Sequence, residues 1–205
     1  MNYNQLASQK ALDATVKALR EKGYEVIVVE TGAEALTKVK ELIPKGTSVM
    51  NGSSTTLEQI GYIEYLKSGD HGWVNPKVAI LAEKDKAKQA LLRRQALISD
   101  YYVGSVHAVA QNGEFVIGSN TGSQMPHIVY SSPNLIFIVS TKKIVATLAD
   151  AMQRLVEHVV PLEDQHMQQL YKIGTNLNKV VIFKGESKFN GRTIRMIFVK
   201  EDLGF

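Results

Sequence analysis

The run Tyr24-Glu25-Val26-Ile27-Val28-Val29-Glu30 limits what this chain can fold into more than any other stretch. It is rich in β-branched residues and alternates too little for a sheet wetted on one face, so it predicts a central strand of a parallel sheet. A parallel neighbour cannot be reached by a tight turn; it needs a crossover, usually a helix. Helical signals stand where that rule wants them. Leu6, Ala7, Ala11, Ala14, Val16, Ala18 and Leu19 give an apolar face to a helix over about 5–22, and Gly23 stops it. A second helix is expected from 31 or 32 to about 42, closed by Pro44 and Gly46, followed by a short strand over 47–50. Leu135-Ile136-Phe137-Ile138-Val139 predicts a buried strand, and 180–183 and 193–199 are expected to finish the sheet. This alternation is that of a doubly wound α/β fold, in which ligands collect beyond the carboxyl ends of the strands.

The loop Gly52-Ser53-Ser54-Thr55-Thr56 falls at such an end. Its glycine permits close backbone approach, and Thr55 with Glu58 has the spacing of a capping box at a helix start. A helix start welcomes a carboxylate or phosphate, although a plain capped helix would read the same way. The 68–76 loop holds the lone tryptophan, Trp73, which more often plugs a small core than acts as a lid. A charged amphipathic helix is expected over 82–99. Its Lys84, Lys86, Lys88, Arg93 and Arg94 are interleaved with acids and lack aromatic neighbours, which fits a solvated face and not a nucleic-acid stripe.

The period then changes. Residues 101–111 and 114–118 flank Asn112-Gly113, which predicts a hairpin with a type I′ turn. Gly118-Ser119-Asn120-Thr121-Gly122-Ser123-Gln124 is a second polar loop, and a helix over 144–158 precedes a short helix and polar connection over 161–178. No repeat or linker divides the 205 residues, so a single domain over 1–205 is expected.

Several chemistries are excluded or unsupported. The chain has no cysteine, which removes disulfides, thiolate zinc and self-held cysteine-ligated iron–sulfur clusters. Its histidines, 71, 107, 127, 158 and 166, make no helical zinc pattern, and no metal site is expected. Neither a phosphate-loop glycine motif nor a Gly-x-Ser-x-Gly elbow is present. With no membrane-length apolar run and no signal-like N-terminus, the expected location is cytoplasmic, without membrane insertion.

Three stretches taken together resemble the LUD-domain family, which includes lactate-utilisation protein C. They are Gly52-Ser53-Ser54-Thr55-Thr56-Leu57-Glu58-Gln59-Ile60-Gly61, Ala110-Gln111-Asn112-Gly113-Glu114, and Ile138-Val139-Ser140-Thr141-Lys142-Lys143-Ile144-Val145. The resemblance implies a three-layer α/β sandwich like that of CoA transferases and ribose-phosphate isomerase. It also implies a role in lactate or related organic-acid use beside iron–sulfur partner subunits. One departure matters. Where many family members carry Ala-Glu-Thr-Gly, this chain has Ala110, Gln111, Asn112 and Gly113, and glutamine cannot form the acyl anhydride of a carboxylate nucleophile. Glu114 would point to the other side of its strand.

The expected ligand site lies between two facing loops, built from Gly52, Ser53, Ser54, Thr55, Thr56, Asn120, Thr121, Gly122 and Ser123 and completed by Lys142 or Lys143. The expected ligand is a small anionic metabolite, with no cofactor held by this chain; a homo-oligomer is compatible. If the protein is instead a stand-alone enzyme on a phosphorylated sugar or folate-like substrate, Glu58, His107 or His127 is the acid–base candidate. A non-catalytic assembly subunit is the third reading.

Overall fold

The computed structural model describes residues 2–205, and the side chains of all but residue 188. Its centre is a five-stranded, all-parallel sheet. The strands are β1 (Glu25–Val29), β2 (Val49–Asn51), β3 (Tyr101–Gly104), β6 (Asn134–Ser140) and β9 (Thr193–Val199), in the order β1-β9-β6-β3-β2. The continuous apolar run of β6 is explained by burial on both faces. Leu135, Phe137 and Val139 enter one core cluster, and Ile136 and Ile138 enter the other. β9 divides likewise, Ile194, Met196 and Phe198 against Ile197 and Val199.

One face is covered by α2 (Gly32–Leu42), α3 (Thr55–Gln59) and α4 (Tyr62–Ser68), which supply Ala35, Val39, Leu57 and Tyr62 to the core. Trp73 plugs the side of this core; its indole N–H donates to the Ile43 carbonyl at 3.1 Å. On the other face lie α1 (Gln9–Glu21) and a second sheet that the sequence did not announce. This sheet has four strands, β4 (Ala108–Ala110), β5 (Phe115–Ser119), β7 (Ile144–Val145) and β8 (Lys179–Phe183), in the order β7-β4-β5-β8. Phe115 and Ile117 of β5 pack into the same cluster as Phe137 and Val139 of β6, so the two sheets share a core. Val116 faces the opposite way, onto Ala151, Leu155 and Val159.

Several elements depart from the sequence expectation. The run 101–111 is two strands in two different sheets, because the chain leaves the parallel sheet after Gly104 and joins the second at Ala108. Residues 180–183 belong to the second sheet and not the first. β4 and β5 pair antiparallel, but their turn is not type I′: Gly113 has φ +82°, whereas Asn112 is not left-handed. The Ala110 carbonyl accepts from the Gly113 N–H at 2.8 Å, a type I-like turn closed by a left-handed glycine. The helix expected over 82–99 is α6 (Lys86–Gln95) with a 3₁₀ turn at Ala96–Ile98, and a further helix, α5 (Pro76–Ala82), precedes it. They are separated because the Asp85 carboxylate caps the Ala87 and Lys88 N–H groups and starts a new helix. Conversely, α7 (Leu148–Arg154) and α8 (Val160–Tyr171) run on through a π turn at Leu155–Val159. Pro161, which has no N–H to give to the helix ladder, follows directly on that π turn, where the ladder is already shifted.

Candidate functional site

The chain leaves the five-stranded sheet for the second sheet twice, once over Ser105–His107 and once over Thr141–Lys143, a 3₁₀ turn at the carboxyl end of β6. A cleft of about 290 Å³ opens at these crossings. Its walls are the 52–56 loop after β2, the crossing at 105–107, the 117–121 stretch, the π turn and α8, and residues 204–205. The two loops expected to face one another do line this one cavity: Gly52, Ser53, Ser54, Thr55 and Thr56 from the first, Asn120, Thr121 and Ser123 from the second. Gly122 is outside the lining; with φ +80° it makes the bend, and it packs on the Lys179 stem. The helix after the first loop is capped one residue earlier than the spacing suggested, by Ser54 Oγ accepting from the Leu57 N–H at 3.4 Å.

The lysine in the cleft is Lys143. A 3₁₀ turn sets successive side chains about 120° apart, so adjacent lysines go to different places. Lys142 Nζ pairs with the exposed Asp202 carboxylate and donates to the Gly204 carbonyl at 2.7 Å, outside the lining. Lys143, only 4% exposed, turns inward. Its Nζ meets Thr56 Oγ1 at 3.1 Å, Ser105 Oγ at 3.1 Å and the Val106 carbonyl at 3.3 Å. Among the described residues no carboxylate lies within ion-pair distance. Burial, then the charges of Arg154 and Lys142, push the Lys143 ammonium down to about 7.

A second buried cation stands behind the cleft. Arg154 is fully buried, and its Nη1 donates to the His107 carbonyl at 2.5 Å, while Nε and Nη2 have no hydrogen-bond partner among the described residues. His107 itself lines the cavity. Its Nδ1 accepts the Gly118 N–H at 2.8 Å, so in the neutral ring the proton sits on Nε2 as a donor. Burial first, then Lys143 and Arg154, hold its pKa down at about 3. The ring is thus a neutral hydrogen-bond donor at ordinary pH and a poor base.

The other acid–base candidates lie elsewhere. His127 is buried in a π turn (His127–Ser131) beneath β3, stacked on Tyr102 with centroids 5.3 Å apart and its Nδ1 2.9 Å from Ser132 Oγ. Glu58 is on the exposed side of α3, outside the lining. Gln111 and Glu114, at the hairpin turn, are also outside it, and Gly113 packs that turn on the backbone of α1. Lining residues that sequence reasoning missed include Ser105, Glu163 and the 175–177 stretch. Burial raises the Glu163 carboxyl above its usual range.

A parallel sheet flanked by helices, with a second sheet on one face, defines a three-layer α/β protein. The family model described as LUD domain matches residues 12–189, and the chain belongs to that family. A DUF162 family protein from Deinococcus radiodurans has a similar fold, with a TM-score of 0.57 at 11% identity, covering 95% of this chain and 99% of that one. Ribose 5-phosphate isomerase A from Methanocaldococcus jannaschii aligns more loosely, with a TM-score of 0.39 at 10% identity over 84% of this chain and 96% of that one. No curated protein matches the sequence.

Proposed function

We propose that this LUD-domain protein binds a small organic-acid anion in the cleft and serves lactate or related organic-acid utilisation beside iron–sulfur partner subunits. One observation carries the ligand: Lys143, a buried cation without a counter-charge, faces an open cavity. An uncompensated buried charge is costly, and a bound anion supplies what is missing. The His107 Nε2–H and the hydroxyls of Ser54 and Thr55 add neutral donors to the same wall. A cleft of about 290 Å³ is at the small end of ligand pockets and suits a metabolite better than a dinucleotide. Because the chain has no cysteine, thiolate-held clusters in such a system would belong to its partners. Covalent acyl transfer through a carboxylate is not part of the reading, since Gln111 stands at the motif position and lies outside the cleft.

The test is a thermal-shift comparison of wild type and Lys143→Met with L-lactate, pyruvate, ribose 5-phosphate and a folate. Lactate or pyruvate should raise the wild-type melting temperature. At about one hundred times the dissociation constant the gain is roughly 2.7 kcal/mol, and it should vanish in Lys143→Met. A shift from the sugar phosphate or folate alone would replace this reading with a stand-alone enzyme. No shift from any compound would leave a non-catalytic assembly subunit.

A further inference from the structure

We propose that the Lys143 amine captures a 2-oxo acid in the cleft as an imine, since this buried amine lines an open cavity and is ringed by neutral oxygens only. The inference rests on the anion-binding reading above and names both the ligand class and the bond it makes.

A lysine acts as a nucleophile only when its nitrogen lone pair is free, and desolvation or a neighbouring cation frees it. Both conditions hold at Lys143, which is buried and lies within the field of Arg154. The polar contacts suit either protonation state. The Val106 carbonyl can only accept, so it takes one N–H. The Thr56 and Ser105 hydroxyls can accept from an ammonium or donate to an amine by rotating about their C–O bonds. A carboxylate in either place would form an ion pair with the group, as the Asp202 carboxylate does with Lys142 one residue away. The two neighbouring lysines are thereby divided into a fixed charge and an available amine.

The step balances without an oxidant or reductant. The nitrogen lone pair attacks C2 of the 2-oxo acid, a C–N bond forms, and the carbonyl π pair moves onto oxygen. A proton passes from nitrogen to that oxygen, giving a carbinolamine. The hydroxyl then leaves with a second nitrogen proton as water, and C=N remains. The Ser105 and Thr56 hydroxyls, each 3.1 Å from Nζ, are placed to relay these protons. The acid's carboxylate would be received by the His107 Nε2–H and the Ser54 and Thr55 hydroxyls. A chain beyond C3 would meet the apolar wall of Ile117, Leu155, Val159 and Leu177.

The experiment is reductive trapping. The full chain is incubated with pyruvate or, in parallel, 2-oxohexanoate, treated with sodium borohydride, digested and mapped by mass spectrometry. The expected result is a reduced adduct on Lys143 as the predominant site, absent when the protein is first unfolded. It should persist on Lys143 in Lys142→Arg and disappear in Lys143→Met. L-lactate, which has no carbonyl, should shift the melting temperature but leave no adduct. A melting shift with pyruvate but no Lys143 adduct from either acid would overturn the imine and leave anion binding standing. Labelling spread over exposed lysines would overturn it equally. Neither shift nor adduct would remove both readings.

Discussion

Two regions lean on the segment 52–68, and only one of them buries a charge. Around Trp73, rings close on one another: its centroid is 5.1 Å from that of His71, 5.5 Å from Tyr65 and 6.4 Å from Tyr62. The indole N–H has the Ile43 carbonyl, and the His71 Nδ1 accepts the Trp73 backbone N–H at 2.9 Å. Around Lys143 the buried group is charged, its partners are neutral, and one side opens on a cavity. The first arrangement is explained by packing alone. The second is not, because replacing a buried unpaired charge by an apolar side chain usually stabilises. The difference separates a part of the molecule that holds shape from a part where stability is given up.

The comparison predicts its largest effect at the aromatic cluster. Trp73→Ala should cost about 3–5 kcal/mol in chemical denaturation, the usual range for removing a buried large aromatic. The variant that still folds should keep the melting shift produced by lactate or pyruvate. If affinity falls along with stability, the two regions are one cooperative unit and the contrast fails.

A smaller and opposite effect is expected at the cleft, and its sign follows from linkage. Burial lowers the folded pKa of Lys143 to about 7, below the ordinary lysine value of 10.5. Between these values the unfolded chain binds more protons than the folded one, so the wild type gains stability as pH rises. Below about 7 the burial penalty is complete. The stability difference between wild type and Lys143→Met should therefore shift in favour of wild type by on the order of 2 kcal/mol between pH 7 and pH 9. Lys77, also lowered by burial, titrates in both proteins and cancels in the difference. A difference that stays flat with pH would mean that Lys143 is charged and compensated throughout, and the contrast would lose its physical basis.

How much of this was legible in the sequence depended on the range of the interaction. The buried strand at 134–140 and the helix stop at Gly23 are set by local pattern, and both were readable. The second sheet was not, because Tyr101-Tyr102-Val103-Gly104 and Ala108-Val109-Ala110 look like one strand until partners 30 or more residues away divide them. The place of the 52–56 loop beyond a strand end followed from the rule for parallel sheets, whereas the 118–124 loop is brought to it by β5 of the second sheet. The choice between Lys142 and Lys143 did not follow. It is made by the phase of a single 3₁₀ turn and by Asp202, sixty residues downstream of Lys142. Glu163 and the 175–177 stretch were missed for a similar reason, since the π turn that carries α8 past the cleft has no sequence marker.

The smallest expected effect sharpens the same contrast at its narrowest point, between the two adjacent lysines. Asp202 is 61% exposed at its side chain, so its pair with Lys142 is partly screened by water. Lys142 itself is buried, so losing the carboxylate costs more than at a fully exposed pair, but Lys142 keeps the Gly204 carbonyl. Asp202→Asn should then lower stability by about 1 kcal/mol, fading at high salt. The melting shift with lactate or pyruvate should not change, because neither Asp202 nor Lys142 lines the cleft. Loss of that shift in Asp202→Asn, with stability intact, would show that the Lys142 charge reaches the ligand. The two lysines would then act as a pair and not as one tether and one site residue.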